Sequence, residues 1–249
     1  MDTYPFESPR VLVDRAKRHL NTLKSQLEEY RLGHDAVSEI RDHRAGVIVR
    51  PGKPVPPRLR EIAVDLLANL RSALDQAVYA STTVLVGPDL PGTKFPFGDT
   101  AKAAADDANR GCSDVPQDMV DFLLDFGPHP RGNRVLWALD KLRNTKSRRI
   151  LVAMIADTST AAIGESKPSV LVGRENGDPY GGILDVSLRR SDGTPNAAAL
   201  SPDTEIQIGT GPMLGEPAVA LFEGMTRLVE RVLAGIETET ARILRAQGV

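Results

Sequence analysis

Cysteine and histidine are scarce in this chain, net charge is nearly absent, and each shortage closes off a class of function. Cys112 is the single cysteine among 249 residues, which excludes internal disulfides and any multi-cysteine zinc site. The four histidines, His19, His34, His43 and His129, fall at no metal-ligand spacing, and no His-Glu-x-x-His pair occurs. A formal net charge of -2 gives no global field to recruit nucleic acid or acidic membranes, so binding of that kind would need a local patch. No apolar run approaches the ~20 residues needed to span a bilayer. The first twenty residues lack the basic-then-apolar layout of a signal peptide, so the expected address is the cytoplasm, with no membrane partner. Gly209-Thr210-Gly211-Pro212 has no lysine to complete a phosphate loop, and Pro212 removes one of the N–H groups such a loop uses. No cofactor or metal is expected.

What remains is an ordinary globular composition, 41% hydrophobic and 26% charged. After Ser8-Pro9, apolar residues recur at steps of three and four through Val13, Ala16, Leu20, Leu23, Leu27 and Tyr30, which predicts a helix over 9–31 with a narrow seam. Val37, Glu39, Arg41 and Val47–Arg50 predict a β-hairpin turning near Gly46. Pro56-Pro57 opens a helix over 57–83. Its stripe of Ile62, Ala63, Leu66, Leu67, Leu70, Ala73, Leu74, Ala77 and Val78 covers nearly half the circumference, which marks a central helix. An irregular loop follows at 86–99, then short helices near 100–109 and 116–126. Asn133 caps a helix over 133–149 whose inner face is Val135, Ala138, Leu139 and Leu142, with Leu136 and Trp137 to its sides. From 150 to 212, short β-like runs predict an antiparallel sheet. A last helix spans 217–247, lined by Phe222, Met225, Val229, Val232, Ile236 and Ile243. The expected class is α+β: one domain over 1–249, a helical bundle with an N-terminal hairpin, and a β-rich segment at 150–212 inserted between bundle helices.

Two segments stand out for chemistry. Asp65–Tyr79 carries Arg71 and Asp75 four apart, a spacing that a helix-surface ion pair explains. Leu136–Arg149 ends in Lys141, Arg143, Lys146, Arg148 and Arg149. Cations favour a helix C-terminus, but Lys146 points between Val135 and Leu139 into the apolar stripe, where it needs a carboxylate or a cleft.

These two segments, with Phe95-Pro96-Phe97 between them, resemble a family of uncharacterised bacterial and phage proteins. Its members read Asn-Leu-Arg-Ser-Ala-Leu-Asp-His, then Phe-Pro-Ile, then Leu-Trp-Leu-Leu ending in Asp-Lys-His-Arg. The match covers about 55–151 and is carried by Asn69 to Asp75, by Phe95-Pro96 and by Leu136-Trp137. The family's arginine, four residues and histidine are in turn similar to the motif of HEPN-type helical domains, many of them metal-independent ribonucleases acting as dimers. The resemblance implies an anion role for Arg71. The histidine positions are lost here: Gln76 stands at the first, and Lys146-Ser147-Arg148-Arg149 replaces Asp-Lys-His-Arg. Gln76 does not titrate and is no general acid or base. The expectation is therefore an anion-binding, RNA- or nucleotide-binding HEPN-like protein without an intact catalytic motif (any activity being that of a metal-independent ribonuclease), using Asn69, Arg71, Asp75, Gln76, Arg143, Asn144, Lys146, Arg148 and Arg149. Its candidate partners are RNA or a nucleotide, a second copy of the chain, or another protein. The alternative is a structural or protein–protein interaction module on long terminal helices, with these polar residues serving packing.

Overall fold

Proline starts three of the helices, fixing the backbone before the first turn and removing a donor that would have no partner there. Pro56, Pro116 and Pro217 precede α2 (Pro57–Val86), α4 (Gln117–Asp125) and α6 (Ala218–Ala246). Side-chain caps start two others. The Thr100 hydroxyl accepts from Ala103 N–H at the head of α3 (Ala101–Gly111), and the Asn133 carbonyl oxygen accepts from Leu136 N–H at the head of α5 (Arg134–Arg143), each at 3.0 Å. The remaining helix, α1, spans Glu7–Leu32.

This computed structural model describes residues 4–32, 47–49, 55–88, 92–144, 151–157, 170–173, 183–186, 202–209 and 211–248. For Arg31, Leu32 and the strand residues before Gln207 it describes the backbone alone.

The apolar stripes meet in one core. The α1 seam of Val13, Ala16, Leu20, Leu23 and Leu27 is buried, as are Leu66, Leu67, Leu70, Leu74 and Val78 of α2. From α6 come Phe222, Met225, Val229, Val232, Ile236 and Ile243. Leu139 and Leu142 enter from α5 together with Leu136, which is fully buried where the sequence placed it at the side. Helix α2 is central: it touches α1, α5 and α6. Buried hydroxyls join two of these helices, where Ser81 donates to Thr240 at 2.7 Å while Thr240 donates to the Ile236 carbonyl, also at 2.7 Å.

The expected α+β class, a bundle with an antiparallel sheet and an N-terminal hairpin, is corrected to a mainly helical fold. Of the residues described in full, 75% are helical, in six helices, with strand confined to one short stretch. Extended backbone elsewhere pairs in short antiparallel ladders. β1 (Val47–Val49) and β3 (Val170–Gly173) flank β4 (Ile183–Val186), while Val37, Glu39, Arg41 and Gly46, the rest of the expected hairpin, lie outside the described residues. β2 (Leu151–Asp157) pairs with β5 (Pro202–Ile208), from Leu151 opposite Ile208 to Asp157 opposite Pro202. Among the residues whose side chains are described, the strand residue in the core is Ile208. The physical reason is that alternation and β-branching report local extension, whereas class depends on which elements close the core. Here the helices close it on one another.

Candidate functional site

Arg71 lies on α2 beside the apolar stripe, so its charge must be met from other elements, and four groups meet it. Asp75, one turn on, forms an ion pair with Nη1, although no hydrogen bond lies in line there. Asp140 of α5 accepts from Nε at 3.3 Å. The strap from Gly92 to Thr100 supplies the Phe95 carbonyl, 3.4 Å from Nη2, and the Phe97 ring, whose centroid lies 4.5 Å from Cζ. The Arg71 side chain is 9% exposed, against 36% for Asp75 and 21% for Asp140. A desolvated guanidinium over an aromatic face gains up to ~2 kcal/mol. One guanidinium facing two carboxylates leaves the cluster net negative.

Asp75, together with Asp107 and Asp99, also holds the strap. Asp75 accepts from Phe95 N–H at 2.9 Å, which seats the fully buried Phe95 ring against the core. Asp107 of α3 accepts from Phe97 N–H at 3.2 Å and from Lys94 at 3.0 Å. Burial works to raise the Asp107 carboxyl, but the bonds from Lys94 and Phe97, with Arg110 nearby, outweigh it and hold the group below its usual range. Asp99 at the far end accepts from the Trp137 indole at 3.0 Å and pairs with Lys141 at 2.8 Å. These bonds lower its pKa, the bond from Lys141 most of all. Cys112 donates to the Lys94 carbonyl, and burial pushes its thiol up to about 11, so it stays a protonated packing group.

The structure brings Arg71 and Asp75 together, whereas Asn69, Gln76 and Asn144 make their bonds elsewhere. Asn69 bonds back to the Asp65 carbonyl and Asn144 to the Asp140 carbonyl, each within its own helix. Gln76 is exposed and lies 3.4 Å from Ser8 Oγ at the start of α1. Arg143 is exposed at the end of α5, while Lys146, Arg148 and Arg149 lie outside the described residues, and with them the expected meeting of Lys146 with Asp75 or Asp65. His129 turns back on its own loop, where Nδ1 accepts from Gly132 N–H at 3.0 Å.

Sequence reasoning missed Asp140 and Phe97 as partners of Arg71, and Asp99 and Asp107 as anchors of the strap. The available signal was Arg71 itself, since a guanidinium flanking a wide apolar stripe requires carboxylates from elsewhere. Among the described residues, no group of three or more ligating side chains is placed to hold a metal, and no helix is long and apolar enough to cross a membrane. Comparison with protein-family models, curated proteins and solved structures gives no match.

Proposed function

We propose that this chain is a structural, protein–protein interaction module built on its long helices, and that the Arg71 cluster serves packing instead of anion binding. The observation carrying this reading is the Arg71 guanidinium, nearly buried between Asp75 and Asp140 and capped by the Phe97 ring. A phosphate approaching it would meet two carboxylates before the cation, and a buried arginine already paired has no charge left to offer. Tyr4, Val11, Tyr79 and Val86 are the apolar side chains that would meet another protein. The Ser8–Gln76 contact sets the start of α1 beside the part of α2 that carries Tyr79.

The two readings predict opposite results for Arg71→Met. In the structural reading the variant loses stability, toward the lower end of the ~3–5 kcal/mol that unpairing a buried charge costs, because both carboxylates keep some water. Its retention of mixed cellular RNA on a filter, read across a salt series, matches that of the parent. A variant with unchanged melting and a clear, salt-dependent loss of RNA binding would restore the anion-binding reading.

A further inference from the structure

Three ion pairs cross from α1 to α6: Arg10 with Glu237 at 2.6 Å, Lys17 with Glu230, and Lys24 with Glu223. Each step of seven along α1 is answered by a step of seven backward along α6. That is the signature of two antiparallel helices meeting along a heptad seam with charges on its flank. The seam is the buried row of Val13, Ala16, Leu20, Leu23 and Leu27 on α1, packed against α2 and α6. In these three pairs the α1 members are all basic and the α6 members all acidic, with Asp14 acting on Lys17 and Arg227 pairing with Glu223 beside them. Bonds to Glu237 and Glu230 raise the Arg10 and Lys17 pKa values, and the bond from Lys24 lowers that of Glu223.

We infer that this ladder is a register device: it favours the observed alignment of α1 on α6 over a slip of one helical turn, and rejects like-with-like pairing of either helix through the same flank. Apolar seams alone specify this poorly, because alanine, leucine and valine pack acceptably after a slip of one turn. Charges do not tolerate the slip. Moving α1 by three or four residues would set Lys17 opposite Arg227 or Ala234 in place of Glu230. A full heptad, roughly 10 Å of travel, would lose one pair, Arg10 coming opposite Leu244 while Lys17 and Lys24 met Glu237 and Glu230, so the discrimination is sharpest against one-turn slips. Pairing α1 with another α1 along this flank would bring Arg10, Lys17 and Lys24 against their own kind. Pairs this exposed contribute little each, so their effect lies in choosing between alignments.

The test uses the full chain and charge reversals at partly exposed positions on the helix surface. Lys17→Glu alone should lower Tm by roughly 2–4 °C in low salt. Adding Glu230→Lys should restore it. Adding Glu223→Lys or Glu237→Lys instead should lower it further, because those partners belong to Lys24 and Arg10. All differences should fade in about 1 M salt. Failure of Glu230→Lys to rescue, or equal rescue by any of the three lysine substitutions, would overturn the inference.

Discussion

Asp99 joins the strap to α5 through the one tryptophan in the chain, which makes a single hydrogen bond observable. Its carboxyl is held below the ordinary 3.8 by Lys141 and Trp137. A depressed folded value means the link contributes in full above the unfolded range and is lost as pH falls through the folded one. Trp137 emission should therefore change at a pH below that at which a free aspartate titrates. Asp99→Asn should abolish that step, and a parent protein with flat emission across the acid range would contradict the link. Asp107 adds the same sign of dependence beneath Phe97. Gly98 makes a separate prediction at this scale. A Cβ there would sit on the backbone of Ala103 and Ala104, in the first turn of α3, where no side chain can swing away. Gly98→Ala should cost ~1–3 kcal/mol by denaturant unfolding.

At the scale of elements, the helices were legible because their signal is local. Steps of three and four in α1 and the wide stripe of α2 survive any tertiary arrangement, and the Pro57 and Asn133 starts are set by neighbouring backbone. The described part of α5 stops at Arg143, short of the expected 149. What was not legible was which helix face meets which. Arg71 and Asp75 could be paired from spacing alone, yet Asp140 and Phe97 reach Arg71 only through the packing of α5 and the strap on α2. The α2–α6 contact hides another such link, the Ser81–Thr240 bond in an otherwise apolar interface. Ser81→Ala removes the donor while Thr240 keeps its bond to the Ile236 carbonyl, so the loss should be ~1 kcal/mol. Adding Thr240→Val should cost less than the two single effects together, measured as a double-mutant cycle.

For the whole molecule, the error in class and the character of the site share one cause. Short runs such as Leu151–Ile155 and Glu205–Ile208 do read as strand, and backbone pairs form there. Local extension does not say whether a sheet carries the core, and here residues from all six helices enter one buried cluster, the smallest share coming from α3 and α4. The strap belongs to that cluster through Phe95 and Phe97, and α5 through Leu136, Leu139 and Leu142, so the Arg71 brace spans one cooperative unit and not a boundary between two. Unfolding should then report a single event. Helix content by circular dichroism and Trp137 emission should lose their signals at the same temperature, since the tryptophan sits on an element whose inner face is part of the common core. Leu142→Ala, which empties a fully buried position far from α1, should lower stability by ~2–5 kcal/mol and move both signals together. An emission change well before the helix signal would instead mean that α5 and the strap open on their own, and the Arg71 cluster would then be a local clasp and not a brace of the whole fold.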